Sequence, residues 1–413
     1  MTEARIPSHV PADRVYAFDI YDDPRLRGDL HGGFAGIIAE APEVFWTPLN
    51  GGHWVVTRMD TAEEVLKDFA CFSATEMEIP RIENPIMLIP LTMDPPASLS
   101  YRQVLMPYFS PKAVAAREPS LRAWARHFIE QVAASGRCDF LDEVASRFPV
   151  TIFMEMMGIP FERFDKFREM ADRFFKDIPE AERMALAGAI VGDMTELIEA
   201  RRDERRDDLI SVLLDANIAG RPLTTEELQS ITFLLFLAGL DTVVNVMTFT
   251  WRALAADPVL QARLAADPAA IPGFVEEGLR LFGVVNVPRM AAQDCDRFGV
   301  RFKTGDMVLC LNSQLGRDER ENADALKLDV DRSHRRLLTF SVGPHLCLGH
   351  NLARAEMKVL TEEWVKQIPS FRAAPGFAPS FRAGMVMSLK ALPLEWPVAD
   401  AAESDRVAAV SVN

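Results

Sequence analysis

Apolar and polar positions follow a helical period through most of the middle of this chain and a strand-like period in a few short stretches. Residues 44–49 and 53–57 flank Asn50-Gly51-Gly52, a pattern that predicts a β-hairpin. A helix-like run begins at Thr61. Met93-Asp94-Pro95-Pro96 interrupts regular structure, and a helical stretch then reaches Phe109. From about 119 to 265 the period is helical. Thr224-Thr225-Glu226-Glu227 has the spacing of a capping box. The helix it opens is expected to run without a break through 231–256. Being apolar on most faces, it should cross the core. A further helix is predicted over 272–282. Strand-like runs follow at 298–302 and 307–311. A glycine-containing loop leads to Cys347, a helix covers 348–367, and 384–396 reads as strand pieces. The pattern predicts a mainly α protein, one helix-rich domain over 1–413. Its helical core lies at about 93–282 and 348–367, with small β-rich parts near 44–58, 298–311 and 384–396.

Composition narrows the function classes. At 413 residues and 49% hydrophobic, the chain can bury a large core and a sizeable cofactor. A formal net charge of -15 disfavours nucleic acid as a partner, which would want a basic face. The five cysteines are odd in number, widely spread and without a CxxC pair. That argues against a disulfide framework or a zinc site and fits a reducing cytoplasm. The first residues have no charged segment followed by an apolar one, so no secretory leader is expected. The apolar stretch 231–240 is cut by Asp241 and reads as too short to span a bilayer; no membrane association is expected.

The strongest chemical signal is Phe340-Ser341-Val342-Gly343-Pro344-His345-Leu346-Cys347-Leu348-Gly349. Gly343 permits a tight bend, and Gly349 allows close approach of the backbone to a flat ligand. Cys347 stands just before a helix, whose free N–H groups and partial positive charge stabilise a thiolate. A thiolate is the iron ligand that favours O–O cleavage. A second signal is Ala238-Gly239-Leu240-Asp241-Thr242, inside the long apolar helix. Gly239 costs about 1 kcal/mol against alanine in a helix interior. Thr242 can bond a carbonyl one turn back, and Asp241 is an expensive carboxylate in apolar surroundings. Three unfavourable choices together suggest a site. The competing reading is that the helix ends near Leu240 and Asp241 caps a second one.

The cysteine segment resembles the iron-ligand loop of cytochrome P450 enzymes. Phe340, Gly343, His345, Cys347 and Gly349 fall on its defining positions. The likeness extends over nearly the whole chain and is nearest to the bacterial camphor-hydroxylase group, to which 237–245 and Ala391-Leu392-Pro393-Leu394 are also similar. The resemblance implies the fold of that family and haem b ligated by Cys347. It implies proton delivery by Asp241 and Thr242, and a groove at Gly239. Arg102, Arg289 and His345 match the family's haem-propionate partners. Glu277, Arg280 and Arg332 match a structural network behind the cysteine loop, although a pair spaced like Glu277 and Arg280 is more often a surface ion pair. Two positions depart from the pattern: Ser98 stands where a histidine is common, and Val287 replaces a carboxylate of the camphor group.

By the same resemblance, Ile86, Met87, Leu88, Leu234, Leu237, Ala238, Val285, Met385 and Val386 line a substrate pocket. Ile86 occupies the place of a tyrosine that donates to the camphor ketone. Losing that donor removes about 1 kcal/mol and an orienting contact. A compact hydrophobic substrate held by shape, a terpenoid or norisoprenoid, is expected instead of camphor. The sequence carries no GxGxxG unit and no cysteine set for an iron–sulfur cluster. The resemblance therefore implies electrons from a [2Fe-2S] ferredoxin and an NAD(P)H-dependent flavin reductase. Arg102, Lys112 and Arg354 are the candidate docking cations, and a monomer is expected. The rival readings are a peroxide-using peroxygenase and a haem-based sensor.

Overall fold

The computed structural model describes residues 3–82, 86–174 and 178–398. Asn50, Gly51 and Gly52 all take positive φ, which closes the expected hairpin of Val44–Thr47 on His53–Val56 with Val44 opposite Val56. That hairpin is one edge of a five-stranded sheet. Met307–Cys310 joins it in parallel, Val287–Ala291 follows antiparallel, and Phe72–Ser73 forms the far edge. Val287–Ala291 and Phe72–Ser73 were not foreseen as strands. Neither was Arg137–Asp139, which lies in the stretch expected to be helical and pairs with Pro393–Glu395.

Helices form most of the rest. Ser110 caps Pro111–Ala133 by accepting from the Ala113 N–H, and this helix packs along His350–Gln367. Pro119 lies inside it, so the helix begins eight residues before the expected start. Packing against a second long helix outweighs the roughly 3 kcal/mol penalty of an interior proline. Stacked and edge-on rings fill the centre, with Phe140 against Trp251 at 5.0 Å and Trp364 at 5.2 Å.

Thr224 and Glu227 form the capping box that opens Thr225–Leu240. The helix is not continuous as expected. It breaks at Asp241 and resumes as Thr242–Ala255. The alternative reading is also incomplete, since the Asp241 side chain makes no capping hydrogen bond. At the break Thr242 Oγ1 donates to the Ala238 carbonyl at 3.0 Å, one turn back. By length and composition Thr225–Ala255 could cross a membrane. In this fold 61% of its apolar window is buried in the protein, as befits a core helix.

Candidate functional site

Two turns build the cysteine loop. Ser341 and Gly343 both have positive φ, and the Cys347 N–H donates to the Phe340 carbonyl at 2.9 Å. A side chain at Gly343 would be strained and would press on Lys67 and Leu66 of the Met59–Lys67 helix. His350–Gln367 starts just after the loop, and the Gly349 and His350 N–H groups donate to Cys347 Sγ. Burial pushes the Cys347 thiol up from its ordinary value. Those two N–H groups, Arg102 and Arg354 oppose that rise. Cys347 is deep in the protein yet keeps accessible surface, so it lines an internal space.

The loop is braced from behind. Arg354 stacks over the Phe340 ring at 4.7 Å and is bound to Glu276 at 2.6 Å. Arg280 binds Glu277 through two hydrogen bonds of 2.8 Å, with both side chains fully buried. This is no surface pair. Arg332 joins at 3.2 Å, and so does Arg335, which the sequence did not single out. Burial alone would raise the Glu277 carboxyl. Arg280, the Asp329 N–H and Arg332 hold it below the usual carboxylate range.

Three donors come together beside the loop from separate segments. Arg102 donates to the Leu346 carbonyl. Arg289, only 2% exposed, projects from Val287–Ala291. His345 is buried, and its Nε2 has no partner. Burial, with Arg289 and Arg102 nearby, pulls the His345 pKa down to about 4, and Asp94 works the other way. Ser98, one turn before Arg102 on Ala97–Leu105, has a fully buried Oγ that is also unpartnered. Buried polar atoms left unpaired cost about 1–3 kcal/mol each. Their grouping beside two arginines fits an anionic group at this edge.

The other wall is thin and apolar. Leu240 and Leu234 are buried, but Ala238 and Gly239 between them are exposed, and a Cβ at Gly239 would meet nothing within 4 Å. Val285 bridges to Val386, and the Asn286 N–H donates to the Met385 carbonyl at 2.8 Å. Leu88, Leu237, Val285, Phe340, Leu348, Met385 and Val386 pack, partly covered, around one hydrophobic cluster. Ile86 and Met87 are placed differently from the expected inner pocket. They line an outer cleft of about 400 Å³ with Val191, Glu226 and Phe233. Met87 is 60% exposed, and what it gives the helix is its carbonyl, which accepts from Ser230 Oγ at 2.6 Å.

Asp241 faces a partner that sequence reasoning missed, Arg382 at 3.8 Å from the Phe381–Arg382 strand. Of the expected docking cations, Arg354 is bound to Glu276 and Arg102 to the cysteine loop. Lys112 is exposed.

A sulfur held by helix N–H groups, unpaired donors at one edge and a small-residue groove fit haem b, a flat cofactor with an iron and two carboxylates. Comparison with known proteins agrees. The cytochrome P450 family model matches residues 180–367. The mycinamicin IV hydroxylase/epoxidase of Micromonospora griseorubida is 31% identical over 90% of this chain and 96% of its own. The probable cytochrome P450 127A1 of Sinorhizobium fredii is 32% identical over 95% of this chain and 97% of its own. Among solved structures, that of CYP101J2 superposes with a TM-score of 0.89 at 37% identity, covering 96% of this chain and all of that one. The structure of CYP101C1 gives 0.90 at 31% identity, covering 95% of this chain. The chain therefore belongs to the cytochrome P450 family, haem b oxidoreductases that act as monooxygenases.

Proposed function

We propose that this P450 inserts one oxygen atom of O2 into a compact hydrophobic substrate of the terpenoid or norisoprenoid class, with electrons from a [2Fe-2S] ferredoxin and its flavin reductase. The observation that carries the reading is the inner wall of Leu237, Ala238, Val285, Met385 and Val386 beside Gly239. It offers shape and apolar surface, with no charged side chain among its members.

Cys347 would hold the iron, and His345, Arg102 and Arg289 would hold the propionates, with the unpartnered Ser98 Oγ one turn from Arg102. Haem, when bound, supplies the two-electron reduction of O2 and the transfer of one oxygen atom. The chain controls protons and water. Thr242 Oγ1 bonds back to the Ala238 carbonyl, so its lone pairs are free to hold a water at the groove. Asp241, beside Arg382, carries protons inward from the solvent side. The apolar wall keeps other water away from the reacting carbon. Ferredoxin approaches on the Lys112 side, with the cysteine loop behind it, and the enzyme works in the cytoplasm as a monomer.

The test combines a spectrum and a turnover assay. The reduced protein with carbon monoxide should give the red-shifted Soret band of thiolate ligation. Turnover should require ferredoxin, reductase and NADH. Equal turnover with hydrogen peroxide alone would make the protein a peroxygenase. A spin-state titration across a terpenoid panel that ranked camphor tightest would overturn the substrate reading.

A further inference from the structure

Two cysteines far apart in sequence meet in the fold. Cys71 follows the Met59–Lys67 helix, and Cys295 opens the strand Cys295–Arg297. Both side chains sit in one buried apolar cluster, and Arg297, two residues on from Cys295, reaches Cys71 Sγ at 3.9 Å. The two segments are also tied through the backbone. Phe72 pairs with Ala291, and the Ala292 N–H donates to the Cys71 carbonyl at 2.8 Å. This lacing holds the sulfurs together.

The surroundings favour chemistry at Cys71. Gln293 Nε2 lies 3.6 Å and an Arg297 guanidinium nitrogen 3.9 Å from its Sγ. Cys71 and Cys295 are 5% and 8% exposed, and a cleft of about 380 Å³ opens beside them. Asp68, Phe72 and Arg297 line that cleft, and all three neighbour Cys71 in sequence or in space. Among the described residues no three His, Cys, Asp or Glu side chains are grouped to hold a metal ion. Burial raises the thiols of Cys295, to about 11, and of Cys138 and Cys310 alike; what sets Cys295 apart is that a second cysteine, Cys71, is among the groups acting on it.

We infer that Cys71 and Cys295 form an oxidisable dithiol, a modification site that hydrogen peroxide converts to a disulfide. The oxidant is at hand. Electrons delivered to O2 but not used on substrate leave a monooxygenase as hydrogen peroxide. Cys71 sulfur attacks one peroxide oxygen, the O–O bond breaks, and a sulfenic acid and one water result. Cys295 sulfur then displaces the sulfenic oxygen as a second water and forms the S–S bond. Two thiols lose two electrons and two protons in all, and peroxide is reduced to two waters. A dithiol that closes only under oxidant suits a reducing compartment. The consequence lies near the haem loop. Lys67, at the end of the helix before Cys71, is the residue against which Gly343 packs. A bond at Cys71 clamps that support in place.

The experiment uses the haem-loaded enzyme with stoichiometric hydrogen peroxide, and in a parallel arm diamide, a thiol oxidant that carries no peroxide oxygen. Non-reducing digestion and mass spectrometry should find the Cys71 and Cys295 peptides joined, two hydrogens lighter, and separated again by dithiothreitol. In Cys295→Ser the joined peptide should vanish, with Cys71 left at the sulfenic acid in the peroxide arm and trapped there by dimedone. The inference fails if wild-type enzyme shows both cysteines as free thiols, oxidised singly, or bridged to other cysteines.

Discussion

Thr242 Oγ1 donates a 3.0 Å hydrogen bond to the carbonyl of Ala238, one turn back, at the point where the core helix breaks. The hydroxyl hydrogen is used up in the helix, which leaves the oxygen lone pairs as acceptors. Alanine at 242 removes the water-holding oxygen and little else. Thr242→Ala should keep the carbon monoxide spectrum and NADH consumption. Product should fall about 10²-fold, in line with loss of a positioned proton carrier, and hydrogen peroxide should accumulate. Thr242→Ser should restore most of the product. Simultaneous assay of NADH, peroxide and product decides it, and unchanged product per NADH in the alanine variant would remove Thr242 from the mechanism.

Asp241 and Arg382 make the second prediction. Arg382 is a third exposed and Asp241 much less so, so the pair joins the solvent side to the groove. Asp241→Asn cannot carry a proton and should lower kcat by about 10²-fold, with substrate-induced spin shift intact. Arg382→Gln removes the cation beside the carboxylate and should change the pH profile of kcat without abolishing turnover. An Asp241→Asn enzyme with wild-type kcat would show that protons arrive by another path.

The cysteine loop was legible in the sequence because its chemistry is local. Ten residues hold the two bends, the ligand and the helix start, and the capping box at Thr224 is just as compact. What was not legible depends on distant segments. Phe72–Ser73 is a two-residue edge strand, too short to show a period of two. Arg382 reaches Asp241, Arg335 reaches Glu277, and Cys71 reaches Cys295 only after the chain has folded. Part of the apolar wall was legible, since Val285 and Asn286 do meet Met385 and Val386. Ile86, the residue that drove the argument about camphor, borders an outer cleft, where the residues that follow it, Met87 and Ile89, bond to Ser230 Oγ through main-chain atoms.

Glu277 neutralises a cluster of three arginines, one of them fully buried. Glu277→Gln keeps the shape and removes the charge, leaving Arg280 buried beside Arg332 and Arg335 with no counter-ion. Breaking a buried pair in this way costs about 3–5 kcal/mol. The variant should unfold at clearly lower urea than wild type and lose haem more readily, because the cluster backs the cysteine loop. Urea titration of the haem-loaded forms measures this. A midpoint equal to wild type would reduce the cluster to decoration.

Acid stability supplies the last prediction, away from the haem. His31 is 6% exposed and lies edge-on to Phe249 at 5.1 Å and Phe282 at 5.6 Å. Burial, with help from Arg317 and Arg252, pulls its pKa from 6.5 down to about 3. His53 is lowered to about 4 by the same cause, burial, against weaker opposing contacts. The unfolded chain therefore binds protons that the folded chain refuses. Stability from these groups is complete above pH 6.5 and drains away as the pH falls toward the folded values. Each histidine removes about 1.4 kcal/mol per pH unit inside its window. Between pH 6 and 4 the two act together. His31→Phe replaces the ring with one that takes no proton and keeps the contacts with Phe249 and Phe282. Urea midpoints of wild type and variant should converge in slope above pH 7. Below pH 6 the variant should lose about 1.4 kcal/mol less per unit. An acid limb of equal steepness in both proteins would mean that His31 takes up its proton without unfolding.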